Sequence, residues 1–421
     1  MLIQNARVID PANGIDSVMD ILIRGSKIAA VGKDLPDTGS QRIDAQGLVA
    51  CPGLIDMHVH LRDPGFTYKE DIASGCAAAA AGGFTAVACM PNTNPVADSA
   101  EVLRYILEQA AKASCKVYPV AAITAGEQGR ELTDFAALKA AGAVAVSDDG
   151  RPVEQDEMME QALLQGVQNR LLVISHCEDL KMIDGGIIHK GRISEELGVK
   201  GMDRLSEDSI TERECQLAEA AGGRVHIAHV STKGSVEIIR QAKARGVHVT
   251  AETAPHYFMM TDELLRSRDA NFRMNPPLRE QEDVDAVLAG VRDGTLDCII
   301  TDHAPHSTKE KADFLHAPNG IVGLETSLAA TLTELYHKQG MPLSEIVQCM
   351  SQSPAEILGV EGGTLSVGKP ADITLFAPDE LWTVDASRFK SKSRNTPFDG
   401  RTLTGRVKYT ILNGEIVYQD E

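Results

Sequence analysis

Two histidines and an arginine stand together at the end of an apolar run. In GLIDMHVHLRDPG, residues 53–65, His58 and His60 are two residues apart and Arg62 follows at the same spacing. Residues i and i+2 of a strand share one face, so the two imidazoles can hold one ion. Imidazole ligands without thiolates suit zinc or a similar divalent ion in a catalytic site. The pair therefore predicts a catalytic metal centre.

Four further apolar runs end in histidine or aspartate. Asp148 and Asp149 follow AVAVS, His176 ends LLVISH, His229 ends VHIAH, and Asp302 follows CIIT. Strand parity leaves open whether Asp148 or Asp149 faces the ion. With the first pair these residues exceed the three protein ligands typical of one catalytic zinc, so we expect one ion or two ions about 3.5 Å apart. A bound ion lowers the pKa of its water toward about 7 and polarises a carbonyl.

Strand parity makes two finer predictions. His60 and Arg62 share a face if the strand continues, which would place the guanidinium beside the ion. His226, three residues before His229, should point away from the side that His229 faces. The planar guanidinium of Arg62 is suited to bidentate capture of a carboxylate, which gives it a role toward the substrate.

Eight apolar runs that alternate with helix-length segments carry these residues, between about Cys51 and Gly362. Strands that are apolar almost throughout are typical of a parallel sheet buried on both faces. About 310 residues of such units predict a (β/α)8 TIM barrel, in which the ends of the strands meet at one face. An open doubly wound sheet is the alternative, but no GxGxxG or GxxxxGK[ST] follows the first run. The runs are LVACPGLIDMHVH, FTAVACM, KVYPVAAIT, AVAVSDD, LLVISHC, RVHIAHVS, HVTAETAPH and LDCIITDHAP.

Both ends of the chain alternate short β-like runs with turns. Residues 1–51 and 363–421 are predicted to form one small β-sandwich domain around the barrel of residues 52–362. Asn413-Gly414 is a strong hairpin signal near the C-terminus. The Ala-rich stretch SGCAAAAAGG, residues 74–83, is predicted to be a helix packed on the barrel rather than a linker.

Composition narrows the class of protein. The chain has 41 Lys plus Arg against 60 Asp plus Glu, a formal net charge of −19, which argues against a nucleic-acid partner or an anionic membrane surface. An anionic substrate would therefore need local cations or a metal. The eight cysteines are scattered without CxxC spacing, as expected for free thiols in a reducing compartment. Without a signal peptide or a run of about 18 apolar residues, we expect a soluble cytoplasmic protein.

The polar motifs, taken in order, resemble those of the dihydroorotases of the amidohydrolase superfamily. The motifs are PGLIDMHVHLRDPG, ACMPNTNP, VAVSDDG, ISHCED, IAHVST, FRMNPPLR, TDHAPH and NGIVGLET, and GGTLSVGKPADITLF resembles the return into the small β-domain. The match is to the bacterial monofunctional type, whose fourth barrel strand supplies an aspartate ligand. The resemblance implies one ion on His58 and His60, a second on His176 and His229, a bridging Asp149, and Asp302 as both ligand and proton shuttle.

The resemblance also implies a reaction, a cofactor and a substrate site. The reaction is the reversible conversion of N-carbamoyl-L-aspartate to (S)-dihydroorotate plus water in pyrimidine biosynthesis, with hydroxide on one or two Zn2+ ions as the nucleophile and Asp302 as general base and acid. A homodimer, or a complex with aspartate transcarbamoylase, is implied as well. The residues implied to hold the substrate are His60, Arg62, Asn92, Asn275, His306, Asn319 and Gly320. The polar segment STKEKADFLHAPNG, which follows His306 and ends in Asn319 and Gly320, is predicted to act as a lid.

Two alternatives remain at this stage. A hydantoinase, dihydropyrimidinase or allantoinase would typically bridge its metals with a carboxylated lysine from the fourth strand. The run from Ala143 to Asp149 has no lysine, and the nearest one upstream, Lys139, falls in the preceding predicted helix. Arg62 also favours dihydroorotate, because neutral hydantoins offer it no anionic partner. A catalytically dead scaffold barrel should have lost some ligands, whereas every matched position is filled.

Overall fold

The computed structural model describes residues 1–36 and 41–420. Residues 37–40 and 421, which belong to the predicted terminal domain, lie outside the described residues. The strands are β1 (Leu2–Asp10), β2 (Ile15–Arg24), β3 (Lys27–Gly32), β4 (Arg42–Asp44), β5 (Val49–Pro52), β6 (Leu54–Val59), β7 (Phe84–Cys89), β8 (Lys116–Ala121), β9 (Ala145–Val146), β10 (Leu172–Ser175), β11 (Ile188–His189), β12 (Gly201–Met202), β13 (Val225–Ile227), β14 (Val249–Thr253), β15 (Cys298–Ile299), β16 (Ile373–Thr383), β17 (Thr402–Leu412) and β18 (Glu415–Gln419).

Helices follow most of the barrel strands. The α-helices are α1 (Ile72–Ala81), α2 (Ala100–Ala110), α3 (Phe135–Ala140), α4 (Asp156–Asn169), α5 (Leu180–Ile183), α6 (Arg192–Leu197), α7 (Leu205–Ala221), α8 (Lys233–Arg245), α9 (Pro255–Met259), α10 (Gln281–Arg292), α11 (Ser327–Thr331), α12 (Leu343–Val347) and α13 (Ser353–Leu358). Short 3-10 helices span Pro11–Asn13, Ala125–Glu127, Asp262–Ser267, Ala270–Phe272 and Ala386–Arg388, and π-helical turns span Leu332–Lys338 and Gln348–Gln352.

The predicted TIM barrel is confirmed. Strands β6, β7, β8, β9, β10, β13, β14 and β15 lie side by side in chain order, and each neighbouring pair is parallel. A parallel bridge between Val59 and His303 closes the ring, and the His60 N–H donates to the His303 carbonyl oxygen at 2.8 Å. Strands β11 and β12 form a separate two-stranded sheet between β10 and α7. The carboxyl ends of the eight strands therefore meet at one face.

The predicted β-domain from both termini is also confirmed as a separate sheet. Its strand order is β18-β17-β16-β5-β1-β2-β3, and β4 pairs with β1. Some of the buried side chains of this sheet form a hydrophobic cluster of their own, whereas others, such as Val49, Phe376 and Val407, belong to the barrel cluster. Asn413 and Gly414 both have positive φ, at 50° and 81°, and join β17 to β18 as the predicted hairpin.

The first predicted strand, LVACPGLIDMHVH, is two strands instead of one. β5 pairs with β1 and β16 in the terminal sheet, whereas β6 pairs with β7 in the barrel. The chain changes sheets at Gly53, where a Cβ would overlap the Thr85 side chain. Period-two patterning cannot show such a change, because both halves are buried apolar strands. The exact domain boundary near residue 52 stays a prediction.

The Ala-rich stretch forms α1, as predicted. Asp71 and Ser74 cap its first turn reciprocally, and the Thr410 hydroxyl of β17 donates to the Ala80 carbonyl oxygen at 2.6 Å. Its small buried side chains thus allow the helix to approach the terminal sheet closely. Within the described residues, no helix is long and apolar enough to cross a membrane. The eight cysteines are free thiols, and all but Cys349 are buried.

Candidate metal centre

The structure brings the six predicted ligands together at the carboxyl ends of the barrel strands. His58 Nε2 lies 3.3 Å from an Asp149 oxygen, and His60 Nε2 lies 3.1 Å from an Asp302 oxygen. His176 Nδ1 lies 2.8 Å from His229 Nε2, and the same Asp149 oxygen is 3.6 and 3.7 Å from these two nitrogens. Two groups have ligand atoms within 4.8 Å of one another and share His58, namely His58 with Asp149 and His229, and His58 with His60 and Asp302.

The two aspartates that parity left open have different surroundings. Asp148 turns toward Thr124, whose backbone N–H donates to it at 3.0 Å and whose hydroxyl forms a second, short hydrogen bond. Asp149 faces the imidazoles of His58 and His60, with oxygens 3.3 and 3.5 Å from their Nε2 atoms. Asp149 is therefore among the residues that could hold a metal ion, whereas Asp148 is not part of either candidate group.

Three residues of the site have left-handed backbone conformations. The φ angles are 60° at Arg62, 33° at His229 and 47° at Asp302. Strand β6 ends at Val59, so the strand does not continue to Arg62, and the condition for a face shared with His60 is not met. Each such conformation costs on the order of 1–3 kcal/mol and is typical of functional sites, where the surrounding structure holds it.

Glu252 is a residue of the site that the sequence reasoning missed. It lies on β14, fully buried, with one oxygen 2.6 Å from His58 Nδ1 and the other 3.1 Å from His226 Nε2. Burial alone would raise the pKa of Glu252. The charges and hydrogen bonds of these two histidines outweigh burial and lower the pKa to about 2. His226 thus points into the barrel beside the ligands, contrary to the parity prediction, because β13 ends at Ile227 and His229 lies beyond it. A lone carboxylate within the apolar VTAET run was the available signal.

His60 and His176 also lie beside a second polar partner. His60 Nδ1 lies 2.9 Å from Asn92 Oδ1, which directs its Nε2 toward Asp302. His176 Nε2 lies 3.4 Å from Glu178, a buried carboxylate that accepts from Asn275 Nδ2 at 2.8 Å. Such partners fix the orientation of metal-binding imidazoles and raise their basicity. Asn92 therefore contacts a predicted ligand directly, in addition to its predicted role toward the substrate.

Charge and burial at this centre fit a divalent cation. His58 Nε2 and Asp149 Oδ1 are buried, lie 3.3 Å apart and have no hydrogen-bond partner among the described residues. Burial lowers the pKa of His58, but the charges of Asp149 and Glu252 outweigh it and hold this pKa well above its ordinary value. Burial likewise opposes a raised pKa at His176, yet Asp149 and Glu178 raise it to about 10. Positive charge is favoured at these two imidazoles, and a cation between the imidazoles and carboxylates would supply it.

The predicted substrate residues lie on the loops beside the centre. Arg62 is partly buried, its Nε donates to the Pro305 carbonyl oxygen at 3.2 Å, and its Nη2 lies 3.4 Å from His306 Nε2. His306 Nε2 is 2.9 Å from the Asn319 carbonyl oxygen. The Gly320 N–H donates to the Arg273 carbonyl oxygen at 3.0 Å, so this backbone donor is used within the protein.

Asn275 has one further feature. Its Oδ1 atom is buried and has no hydrogen-bond partner among the described residues, while its Nδ2 is held by Glu178. A buried acceptor without a partner is costly, so this amide oxygen is poised for an N–H donor that enters the site.

Comparison with known proteins agrees with these features. The Dihydro-orotase-like family matches residues 47–235, and the Amidohydrolase family matches residues 208–418. The dihydroorotase of Syntrophotalea carbinolica is 51% identical over 421 residues, which cover 100% of this chain and 99% of that protein. The dihydroorotase of Geobacter metallireducens is 52% identical over 422 residues, with the same coverage. The chain belongs to the dihydroorotase family. It is therefore a hydrolase that acts on a cyclic amide.

Solved structures of the same superfamily share the fold of this dihydroorotase family member. The L-hydantoinase (dihydropyrimidinase) from Arthrobacter aurescens is 26% identical with a TM-score of 0.90, covering 99% of this chain and 96% of that one. The dihydropyrimidinase from Brevibacillus agri is 25% identical with a TM-score of 0.88, covering 99% and 95%. The amidohydrolase superfamily is typically metal-dependent, and the residue groups described above are candidates to hold the metal.

Proposed function

We propose that this protein is a zinc-dependent dihydroorotase that interconverts N-carbamoyl-L-aspartate and (S)-dihydroorotate plus water in pyrimidine biosynthesis. The observation that carries the proposal is a partly buried guanidinium, that of Arg62, which no carboxylate of residues 1–36 and 41–420 hydrogen-bonds. A guanidinium enclosed in this way is matched by an anionic group of the substrate. Dihydroorotate carries a carboxylate, whereas hydantoin and dihydrouracil are neutral.

Two lysines lie near Arg62 and His306. Lys69 Nζ lies 3.3 Å from His306 Nδ1, on the opposite side of the ring from Arg62. Lys311 Nζ donates to three carbonyl oxygens, those of Arg273, Pro318 and Gly320, at 3.0 to 3.1 Å. Lys69 is paired with Glu310 at 3.2 Å, and burial lowers the pKa of Lys311 to about 7. Arg62 is therefore the main cation for a substrate carboxylate.

The hydantoinase alternative is less well supported, although the fold is shared. Its bridging carboxylated lysine has no counterpart between Ala143 and Asp149, and Lys139 is exposed on α3. Asp149 occupies the position between the histidines instead. The scaffold alternative is opposed by the intact set of predicted ligands and by their convergence.

We propose the six converging residues as the zinc ligands, and Asp302 as the group that moves the proton. A zinc ion held there would lower the pKa of a water and polarise the amide carbonyl. Burial alone would raise the pKa of Asp302, but the hydrogen bond from His60 and the charges of His58 and His60 hold it below its ordinary value. The ionised carboxylate can accept a proton from the attacking water and return it to the leaving ring nitrogen. Ring closure consumes a proton, so low pH should favour dihydroorotate.

The remaining residues bind and orient the substrate. Arg62 and the Nε2 side of His306 would hold the carboxylate, and Asn275 Oδ1 would accept from a ring N–H. The loop from Ser307 to Gly320 would close over the ring, with Asn319 at its end. Fixing the carboxylate in this way places the amide carbonyl against the metal centre.

Arg62→Met tests the substrate assignment. The KM for dihydroorotate should rise about a hundredfold, as expected for the loss of a charged hydrogen-bonded contact of about 2–3 kcal/mol. Activity toward dihydrouracil, which lacks the carboxylate, should change little. Arg240→Met, at an exposed helical position, is the matched control. An unchanged KM for dihydroorotate, or wild-type hydrolysis of dihydrouracil without hydrolysis of dihydroorotate, would refute the proposal.

Asp302→Asn tests the proton shuttle separately. The variant should keep at least part of its zinc, measured by elemental analysis of the purified protein, and lose most turnover. Near-wild-type turnover would show that another group moves the proton. The wild-type measurement in the same experiment gives the number of zinc ions for each chain.

We further propose a cytoplasmic homodimer, or a complex with aspartate transcarbamoylase, on the basis of the resemblance to dihydroorotases. Light scattering on the purified protein, alone and with aspartate transcarbamoylase from the same source, tests both. A monomer that does not bind the transcarbamoylase would refute this part without affecting the reaction assigned above.

A further inference from the structure

The hydrogen bonds around His306 determine where its proton lies. Lys69 Nζ is 3.3 Å from His306 Nδ1, and an ammonium group can only donate, so Nδ1 accepts. The Asn319 carbonyl oxygen is 2.9 Å from His306 Nε2, and a carbonyl can only accept, so Nε2 donates. Both contacts require the same neutral ring, with its proton on Nε2.

The proton on Nε2 lies beside a second donor. Arg62 Nη2 is 3.4 Å from His306 Nε2, and a guanidinium also only donates. Two donors at this distance do not satisfy each other. A carboxylate placed against both could accept from Arg62 Nη2 and, in place of the Asn319 carbonyl oxygen, from the Nε2–H of His306.

Lys69 is held in place from several directions. Its ammonium pairs with Glu310 at 3.2 Å, and its carbonyl oxygen accepts from the Ser393 hydroxyl at 2.7 Å. Glu310 also accepts from the Tyr68 hydroxyl at 2.8 Å, which ties the loop after β6 to the loop that follows β15. Lys69 is 8% exposed, so it is not a solvated surface cation.

We propose that Lys69 is the positioning residue of His306: it fixes the neutral imidazole with Nε2–H, so that His306 and Arg62 present two donors to one substrate carboxylate. Lys69 itself acts through His306 and is not assigned a contact with the reacting atoms. The inference rests on the proposed function, because it assumes a substrate with a carboxylate.

Lys69→Met removes the donor to Nδ1 and keeps the length of the side chain. The ring can then place its proton on Nδ1 or turn away, and one of the two donors to the carboxylate is lost. The KM for dihydroorotate should rise about tenfold, while kcat should change less than about threefold, since one charged hydrogen bond contributes that much. Lys69→Arg, which can still donate to Nδ1, should recover most of the loss. Lys338→Met, at an exposed ion-paired position, is the matched control.

The pH dependence of KM separates a loss of positioning from a change in the charge of His306. Burial, Arg62, Lys69 and Lys311 lower the pKa of His306 to about 2, so the wild-type ring stays neutral. The Asn319 carbonyl opposes this shift, and Glu310 faces Lys69 rather than the ring. Without Lys69 the pKa should rise, but burial and Arg62, which lower it more, remain, so the ring should still be neutral. The rise in KM should therefore come from the lost hydrogen bond to Nδ1, and the ratio of variant to wild-type KM should be the same at about pH 8 and about pH 5.5.

The wild type and the variants are measured as zinc-loaded proteins, with thermal unfolding recorded for each. An unchanged KM in Lys69→Met, or a raised KM that Lys69→Arg does not recover, would overturn the proposal. If Lys69→Met does not fold, Lys69→Leu is tested in its place, with the same expected rise in KM. Wild-type protein that does not hydrolyse dihydroorotate would instead refute the proposed function. The two failures are therefore distinguishable.

Discussion

Glu252 should control how tightly the centre binds its metal. The substitution Glu252→Gln keeps the size of the side chain and removes its charge. His58 Nδ1 then loses a charge-assisted hydrogen bond of 2.6 Å, and the amide nitrogen of Gln would face either His58 or His226. Hydrogen bonds to charged groups contribute about 1.5–3 kcal/mol, which corresponds to a 10- to 150-fold weaker metal affinity. Because His58 belongs to both candidate ligand groups, an ion held by either group should bind more weakly.

The affinity is measured by competition with a zinc chelator of known dissociation constant, and kcat is measured at saturating zinc. We expect the dissociation constant to rise at least tenfold, and kcat to recover largely when zinc is in excess. Glu334→Gln, at a buried carboxylate paired with Lys338 away from the ligands, is the matched control. Wild-type zinc affinity in Glu252→Gln would show that Glu252 does not orient His58.

Three further expectations follow from described contacts. Asn395→Asp removes the amide donors to the Ala304 and Gly320 carbonyl oxygens, so the free energy of unfolding in urea should fall by about 2 kcal/mol; an unchanged value would contradict this. Asp149→Asn should lose bound zinc, whereas Asp148→Asn should keep it and lose only stability; equal zinc loss would contradict the separation. Because the net charge of −19 repels an anion, kcat/KM for dihydroorotate should rise with ionic strength up to about 0.2 M, and a decrease would refute the reasoning.

The fold could be predicted because its strands carry their own signal. Strands buried on both faces are continuous apolar runs, and each of the eight runs contains a barrel strand. The same patterning could not locate the change of sheets at Gly53, because the residues that flank Pro52-Gly53 on both sides are apolar. Short strands such as β9 and β15 are two residues long, so their bounds depend on hydrogen bonds that the sequence does not display.

The metal centre could be predicted from the sequence for a related reason. The predicted ligands follow strand ends, and in a parallel barrel those ends are neighbours whatever their separation in the chain. The parity arguments for Arg62 and His226 needed longer strands. Strand β6 ends at Val59, before Arg62, and strand β13 ends at Ile227, before His229. Lys69 and Asn395 gave no signal at all. Their roles depend on loops that meet only in three dimensions, such as the Asn395 contacts with Ala304, His306 and Gly320.

The change of sheets at Gly53 joins the stability of the terminal sheet to the metal. One residue separates β5 from β6, so the strand that carries His58 begins as the continuation of a strand that holds no ligand. An ion that binds only the folded barrel stabilises the folded state of every element that must be folded for β6 to be in place. Hydrogen exchange of the β5 amides should therefore slow when zinc binds, although β5 lies in a different sheet. The terminal sheet and the barrel are separate sheets, and we expect both to be stabilised when the ion binds.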